Sequence, residues 1–318
     1  MQPTQYDVHY DEVLTNISIA YIQDQSNYIA TKVFPIVTVD KQSDKYTVWD
    51  KNDWFRDEAQ KRADSTESVG SGFNLSRDSY FADVWAIHKD LGQQTRHNAD
   101  DGLGLETTTV QFVTHRILLR QEIQWVSDFF TTSVWGTDTT VVNQWSDYSA
   151  SDPIEDIETA RENMLATTGF EPNTMVLGYS AWRRLKQHPD IVDRIKMAGM
   201  GSGTPATTTT RAVAQIFELE NIYVAKAIKA NNVEGETASY GFTHGKHAWL
   251  GYVNPTPGRN APSAGYVFSW DYAGIGATVL VDRIPIPLKK TERFEAEAAW
   301  DNKVVATDLG VFFPNVVA

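Results

Sequence analysis

The feature that most constrains the fold is the wide separation of two strand-like segments near the N-terminus. Tyr46 to Trp49 and Tyr80 to Ile87 are rich in aromatic and β-branched residues, which is typical of β-strands. Roughly 30 residues join them, a length that is uncommon for a connection inside a compact domain. The middle of this connection, Arg56 to Glu67, contains seven ionisable residues among its twelve. The pattern predicts a long hairpin that projects from the body of the protein.

The projecting hairpin carries aromatic side chains that need a buried environment. They are Trp49, Trp54, Phe55 and Phe73. Large apolar side chains on an exposed projection mark protein–protein interfaces, and a neighbouring subunit is the natural place to bury them. We therefore predict that these four residues anchor a subunit interface. The charged residues between them, from Arg56 to Glu67, are expected to set the register through ion pairs with the neighbour.

Composition and charge indicate a folded protein without broad affinity for nucleic acid. The chain has 318 residues, of which 42% are hydrophobic and 22% are charged, and this length suffices for two domains. Its formal net charge of −13 argues against a broad basic surface that would wrap nucleic acid. It contains no cysteine, which excludes disulfides, thiolate metal sites and cysteine nucleophiles.

The N-terminal sequence shows no targeting signal. Residues 1–13 (MQPTQYDVHYDEV) have neither the basic region nor the apolar region of a secretory signal. No apolar stretch approaches the roughly 18 residues that a membrane-spanning helix needs. We therefore expect folding in a cytosol and no membrane partner.

The longest helical pattern lies within residues 106–135. Leu119, Ile123, Val126 and Phe130 recur at spacings of four, three and four residues, which places them on one face of a helix. Most of this stretch as a helix would form a rod of roughly 40 Å, at 1.5 Å per residue. We predict that this apolar stripe is the buried side of the rod.

A second helix has strong start and stop signals. Asp152 is a suitable N-cap, Pro153 suits the first turn, and Glu155 occupies the capping-box position. Gly169 suits the C-terminal end. The face predicted to be buried consists of Ile154, Ile157, Met164 and Leu165.

The remaining predicted elements are mostly strands. Pro35 interrupts an apolar run, which favours an edge strand or an extended arm. In chain order, the others are a strand at 174–177, a helix from 180 that breaks or restarts at 189, a mobile loop at 198–210, a short helix at 211–219, strands at 221–227, 247–253, 265–270 and 277–284, and two strands within 291–313 joined by a turn at Asp301–Asn302.

The segment TMVLGYSAWRR (residues 174–184) raises the alternative of a serine hydrolase. Gly178 and Ser180 fit two positions of the Gly-x-Ser-x-Gly nucleophile elbow, but Trp182 occupies the second position that must be small. A serine at the start of a helix is more commonly an N-cap. We therefore predict that Ser180 caps a helix, and a hydrolase using Ser180 is the less favoured alternative.

The sequence offers no convincing metal or cofactor site. His244 and His247 are three residues apart, but a metal site needs three or four ligands and a third is not evident. Gly245 between them indicates a turn. Glycine-rich stretches at 101–106 and 199–203 lack the spacing of phosphate-binding loops. We predict no cofactor, no metal and no catalytic residue.

One region resembles a known family. The segment Ala181 to Lys196 (AWRRLKQHPDIVDRIK) contains a His-Pro-Asp step and follows both a strand and the capped helix at 152–170. This passage resembles the major capsid proteins of tailed bacteriophages, and the order of elements matches that family over nearly the whole chain. The resemblance implies an α+β fold of the Hong-Kong-97 capsid type, with an N-terminal arm at 1–40, an extended β-hairpin loop at 41–91, a peripheral domain with a long spine helix at 92–170 and 283–318, and an axial domain at 171–282.

The resemblance also implies a structural function. Such proteins self-assemble into pentamers and hexamers that form the icosahedral head shell around a double-stranded DNA genome. This chain would then belong to the virion and assemble in the host cytoplasm. Because the implied arm begins close to Met1, a separate scaffolding protein is expected, with portal and decoration proteins as further partners.

Two further expectations concern the inner wall of such a shell and the alternative functions of the protein. The net negative charge would let packaged DNA slide along the inner wall without sticking. The alternatives among assembling proteins are an encapsulin-like compartment shell and a ring-forming phage tail or connector protein.

Overall fold

The structure is a computed structural model, and it describes residues 23–49, 51–99, 104–197, 208–258, 261–271 and 279–318. Most of the predicted N-terminal arm and most of the predicted loop at 198–210 lie outside these residues. Within the described ranges, no helix has the length and apolar character needed to cross a bilayer.

Helices and strands alternate along the chain. The helices are α1 (Ala30–Val33), α2 (Lys51–Trp54), α3 (Gln93–Asn98), α4 (Leu105–Phe129), α5 (Pro153–Thr168), α6 (Tyr179–Leu185), α7 (Pro189–Ile195) and α8 (Thr210–Ile216). The strands are β1 (Ile36–Val39), β2 (Ser43–Trp49), β3 (Leu75–Phe81), β4 (Asp83–Gly92), β5 (Thr137–Asp138), β6 (Thr174–Gly178), β7 (Asn221–Ala225), β8 (Ile228–Ala230), β9 (Tyr240–Phe242), β10 (Ala248–Gly251), β11 (Gly265–Trp270), β12 (Leu280–Ile286), β13 (Thr291–Val304) and β14 (Gly310–Phe313).

Two five-stranded sheets form the framework. The first has the order β1-β11-β13-β12, with β4 also paired to β13, and the second has the order β5-β14-β10-β6-β7. Strand β1 lies at an edge of the first sheet, which confirms the expectation from Pro35.

The sheets do not divide the chain at the predicted domain boundaries. Strand β11 comes from the predicted axial segment but belongs to the first sheet, and β14 comes from the predicted peripheral segment but belongs to the second. The boundaries at 171 and 283 stay a prediction, although sheet membership crosses them. The physical reason is that the last third of the chain contributes alternately to both sheets, so hydrogen bonding joins segments that a linear division separates.

Strand β13 runs straight through the predicted turn at Asp301–Asn302. That prediction is wrong because both side chains have partners that favour extended chain. The Asp301 carboxylate accepts a hydrogen bond from the Phe81 amide (2.9 Å), and the Asn302 side-chain nitrogen donates to Asp128 of α4 (2.9 Å). The backbone of both residues also pairs with β11.

Helix α4 is 25 residues long, which confirms the long helix, but its buried face differs from the predicted stripe. Its fully buried residues are Thr109, Val113, Ile117, Gln121, Glu122, Trp125 and Phe129. The predicted stripe is only partly right, because Phe130 is buried but Leu119, Ile123 and Val126 remain half-buried. Trp125 and Phe129 meet the ring of Phe34, with ring centroids 5.9 and 4.5 Å away, and these large rings decide which side of the helix is most deeply buried.

Strands β2 and β3 form the predicted hairpin. Residues 43–49 pair antiparallel with residues 75–81. Strand β4 pairs with β13 instead, so the paired part of the hairpin ends at Phe81 and not near residue 91. The correction follows from the long ladder between β4 and β13, which draws residues 83–92 into the first sheet.

The base of the hairpin rests on the side of the first sheet that is opposite to α4. Tyr80 stacks on Phe268 of β11, with ring centroids 4.6 Å apart. Phe268 pairs with Asp301 of β13, whereas the next residue, Asn302, reaches α4. Successive side chains of a strand point to opposite sides of a sheet, so the hairpin and α4 cover different sides.

Helix α5 confirms the predicted start and stop signals. The Asp152 carboxylate accepts hydrogen bonds from the amides of Ile154 and Glu155, at 3.1 Å each. Gly169 follows the last turn with a φ of 74°, a conformation that favours glycine. Leu165, by contrast, is 42% exposed, so that member of the predicted buried face is wrong. The rest of the face packs with α6, α7 and α8 against the second sheet.

The start of α6 also differs from its prediction. Its N-cap is Gly178, and Ser180 is the second residue of the helix without a capping hydrogen bond. Ser180 is not the cap because the helix begins earlier, after Gly178, where main-chain atoms of Gly245 approach closely. A Cβ at position 178 would lie 2.4 Å from the carbonyl oxygen of Gly245, so only glycine fits where the strand turns into the helix.

Gly178→Ala should destabilise the protein, because the added methyl group would meet main-chain atoms of Gly245. We expect the free energy of unfolding to fall by about 1–3 kcal/mol, measured by urea denaturation. Gly72→Ala is the matched control, since a Cβ at that position has no atom within 4 Å. Equal stability of the two variants would contradict the close approach at Gly178.

Candidate subunit interface

The hairpin tip, residues 51–74, begins with the single turn of α2 and continues as extended chain. Asp53 joins its two ends, because the carboxylate accepts hydrogen bonds from the amide (2.7 Å) and the side-chain nitrogen (3.0 Å) of Asn74. The Asp53 side chain is almost completely buried by these contacts. A polar contact therefore closes the base of the tip.

Three of the four predicted anchor residues lie on the tip with most of their surface exposed. The exposed fractions are 62% for Trp54, 63% for Phe55 and 60% for Phe73. Trp49 ends β2, and its side chain lies outside the described part of the structure. Leu75, which the sequence reasoning omitted, is also mostly exposed. The tip therefore presents an apolar surface that its own subunit does not cover.

Arg56, the first charged residue of the predicted register-setting segment, has ion-pair partners within the tip. Arg56 lies 3.7 Å from carboxylate oxygens of both Asp53 and Glu58, and Glu67 is exposed. Exposed ion pairs contribute roughly 0–1 kcal/mol, so Arg56 could exchange these partners at small cost. A role of Arg56 and Glu67 in setting the register with a neighbour stays a prediction.

The tip also contacts the body of its own subunit. Lys51 pairs with Asp308, and both side chains remain partly in water. The ring of Phe55 lies close to Gly169 at the end of α5. These contacts orient the hairpin over the subunit but leave the tip rings mostly in water.

A buried carboxylate joins α1 to α4, a contact that the sequence reasoning missed. Glu122 Oε2 accepts hydrogen bonds from the amides of Ile29 and Ala30, at 2.9 Å each. These amides lie at the start of α1, where the helix itself supplies no acceptor. Glu122 Oε1 lies 3.6 Å from Nδ1 of His244, and both side chains are completely buried.

Burial controls the protonation of both groups. It raises the pKa of Glu122 to about 7, although the hydrogen bonds from Ala30 and Ile29 act in the opposite direction. Burial also lowers the pKa of His244 to about 3. His244 is therefore neutral, and its contact with Glu122 is not an ion pair. Its Nδ1 lies 2.9 Å from the hydroxyl of Thr243.

The described clusters of polar side chains that resemble a metal site or a catalytic triad have structural roles. Among the residues that the structure describes, no group of three potential metal ligands occurs. Ser151 Oγ lies 3.1 Å from Nε2 of His188, whose Nδ1 lies 3.4 Å from Asp190. Both Ser151 and His188 are buried, however, and the serine hydroxyl donates to the carbonyl of Asp147 at 2.6 Å. That hydroxyl is committed to the main chain and inaccessible to a substrate.

Solved structures share the overall fold of this chain. A phage-related protein from Bordetella bronchiseptica RB50 is similar with a TM-score of 0.69 and 23% identity, covering 92% of this chain and 94% of that one. The capsid protein of cyanophage P-SCSP1u is similar with a TM-score of 0.59 and 8% identity, covering 93% and 90%. The fold is the α+β Hong-Kong-97 type found in phage capsids.

Sequence comparison shows the family to which the chain belongs, in addition to its fold. The family described as phage major capsid protein E matches residues 126–235. The major capsid protein of Burkholderia phage BcepMu is 30% identical over 243 residues, which cover 73% of each chain. The chain belongs to the family of phage major capsid proteins.

Membership of this family settles the class of function. The chain is a structural protein of phage capsid shells and part of the virion, and it is not an enzyme. The hydrolase alternative based on Ser180 is therefore wrong. The compartment and connector alternatives are not favoured.

Stability should depend on pH through Glu122. Its pKa rises from an ordinary 4.5 to about 7 on folding, so the folded state holds the proton more tightly. The resulting stabilisation is fully present below about pH 4.5 and is lost as the pH rises through about 7. Glu122→Gln keeps an oxygen acceptor for the two amides and cannot ionise. Relative to wild type, it should gain on the order of 2–3 kcal/mol between about pH 5 and pH 8.

Urea denaturation at several pH values measures this difference. Glu67→Gln removes an equal charge from the exposed tip and should leave the pH dependence as it is in wild type. A constant difference between Glu122→Gln and wild type over the whole range would show that the pKa of Glu122 is not raised by folding.

Proposed function

We propose that this chain assembles into pentamers and hexamers, that these close into an icosahedral shell, and that the shell encloses double-stranded DNA. Membership of the phage major capsid proteins supports the formation of a shell. Assembly would take place in the host cytoplasm, with a separate scaffolding protein, a portal and decoration proteins as partners.

The exposed apolar tip is the observation that carries the mechanism of assembly. Burying a whole aromatic side chain removes about 150–250 Å² from water, and each Å² contributes about 25 cal/mol. Trp54, Phe55 and Phe73 each keep well over half of their surface in water. Covering one of these rings would contribute about 2–3 kcal/mol before the entropic cost of docking. An apolar site on a neighbouring copy would provide that cover.

The hairpin is anchored at its base and only weakly held at its tip. The stacked rings of Tyr80 and Phe268 fix the base on the first sheet. The ion pair between Lys51 and Asp308 is partly exposed and is worth roughly 0–1 kcal/mol. The tip can therefore leave its own subunit for a neighbour at small cost, while the base keeps its direction.

The two sheets can be assigned to the two domains that the family resemblance implies. We assign the first sheet with α4 to the peripheral domain, and the second sheet with α5 to α8 to the axial domain. The cores support this division in part, since α5 to α8 pack with strands of the second sheet, whereas α4 packs with strands of the first sheet in a cluster that also includes Val176, Trp249 and Phe312 of the second. It is an alternative to the boundaries at 171 and 283.

Replacing Trp54 and Phe55 together by alanine should leave a folded, soluble subunit that assembles poorly. Both rings are mostly exposed in the single subunit, so their loss costs little in its core. Loss of about 2–3 kcal/mol for each ring predicts at least a tenfold fall in the yield of shells at a fixed concentration. Size-exclusion chromatography and negative-stain electron microscopy measure shells against free subunits.

The matched control keeps the apolar surface in a different shape. Trp54→Phe with Phe55→Leu should restore most of the assembly if burial of apolar area is what matters. Normal shells from the double alanine variant would show that the tip rings are not the anchors.

A further inference from the structure

Three cations line the exposed side of α4 without a carboxylate partner. Lys89 comes from β4, and Arg116 and Arg120 lie on successive turns of α4. In the part of the chain that the structure describes, none of the three has an Asp or Glu oxygen within 4.0 Å, whereas Arg96 of α3 pairs with Glu106 at the start of α4. We call the three cations, with the rings of Trp85 and Phe112, the cationic strip.

Aromatic rings hold these cations in place without neutralising them. The Arg120 guanidinium lies 4.1 Å from the ring centroid of Trp85. Arg116 and Lys89 lie 5.1 and 5.2 Å from the ring centroid of Phe112. A cation over an aromatic face is attracted by about 0.5–1 kcal/mol at an exposed site and keeps its full charge. The strip is therefore a row of positioned positive charges.

The carboxylates of α4 have other contacts. Glu122, two residues beyond Arg120, accepts hydrogen bonds from the amides of Ile29 and Ala30. Asp128 accepts a hydrogen bond from Asn302, and burial raises its pKa while Arg120 acts in the opposite direction. Glu106 contacts Arg96 and Arg283. Among the described residues, the strip thus carries three positive charges without a direct ion pair, in a chain whose formal net charge is −13.

The opposite side of the same sheet is negative. Asp282, Glu295 and Glu297 lie on the side of β12 and β13 that faces away from α4, because they alternate with the residues that face the helix. Burial raises the pKa of Glu297, and the charges of Glu295 and Asp282 act in the same direction. Arg293, on the same side of β13, pairs with Asp90. The cationic strip and this group of carboxylates therefore lie on opposite sides of the first sheet.

We propose that the cationic strip faces the inside of the shell and binds the phosphate backbone of the packaged double-stranded DNA. The inference deepens the proposed function and rests on it. Arg116 and Arg120 are about 6 Å apart along the helix axis, so the strip offers a row of cations to a row of anions. Sequence-independent binding to DNA needs such a row of phosphate contacts and no base contacts. The acidic side of the sheet then faces outward, away from the DNA.

A second copy of the chain fits the strip less well than DNA does. The acidic group of Asp282, Glu295 and Glu297 lies on the opposite side of the first sheet, so within one wall it faces away from the strips of neighbouring copies. The charged segment Arg56 to Glu67 contains three cations beside its four acidic residues, and it would bring repulsion as well as attraction to a purely cationic strip. DNA presents one sign of charge throughout. The inner wall would therefore hold DNA locally at the strip, which revises the expectation that DNA slides along the inner wall without sticking.

The test measures DNA binding by unassembled full-length subunits, at a protein concentration below that at which shells form, with and without two of the strip's charges. Arg116→Gln with Arg120→Gln is compared with wild type by fluorescence anisotropy of a labelled 20-base-pair duplex over a series of NaCl concentrations. Each lost phosphate contact should reduce the slope of log K against log salt by about 0.9, so we expect the slope to fall by about two. Arg116→Lys with Arg120→Lys keeps the charge and should keep the slope.

Lys45→Gln with Arg77→Gln is the matched control. It removes the same charge from exposed positions of the hairpin, on the other side of the first sheet, and should leave the slope as in wild type. An equal fall in slope for the control and the strip variant would overturn the inference, because binding would then follow net charge and not the strip. Absence of DNA binding by the wild type at low salt would overturn it as well.

Electron microscopy of the same proteins separates this inference from the proposed function. The strip variant should still form shells, since none of its changes touches the hairpin tip. If the wild type forms no closed shells and the strip variant binds DNA more weakly than the wild type does, only the shell proposal fails. If the strip variant binds DNA as wild type does and fails to assemble, the strip contacts another copy of the chain and the inference is wrong.

Discussion

The cluster of aromatic rings between the two sheets is the contact on which the rest of the subunit depends. Phe34 lies at its centre, against Trp125 and Phe129 of α4, Trp135 after α4, and Trp249 of β10. Removing these rings from water supplies the free energy, and their tilted and edge-on packing selects one geometry. Because the rings come from the segment before β1, from α4 and from β10 of the second sheet, the cluster fixes how α4 and the start of β1 lie against the second sheet.

The first sheet separates two surfaces that have different tasks. Its strands alternate their side chains between the two sides, so one side receives α4 and the other receives the base of the hairpin. The same alternation places Glu295 and Glu297 away from the helix, while Lys89 lies beside it. Charge and apolar surface are therefore distributed by the register of β13, and the net charge of the whole chain does not reveal that distribution.

Local signals predicted much of the fold. Asp152 and Gly169 marked the ends of α5 because a cap depends on neighbours within the same few residues. The composition of the tip predicted the exposed rings of Trp54, Phe55 and Phe73, since a charged segment without periodic apolar residues cannot build its own core. Where a long-range partner competes with a local preference, the sequence reasoning failed. Asp301 favours a turn locally, but its hydrogen bond to Phe81 keeps β13 extended.

By itself, the sequence determined the long helix, the projecting hairpin and the aromatic residues at its tip, because these follow from composition, spacing and order along the chain. The class of protein came from the resemblance of its sequence to a known family. Only the tertiary structure decided which side of α4 is buried, that Glu122 binds the start of α1, and that Lys89 joins Arg116 and Arg120. Each of these features unites residues that are far apart in the sequence. Their side chains meet only after the sheets have paired, and no local pattern records a contact that packing alone creates.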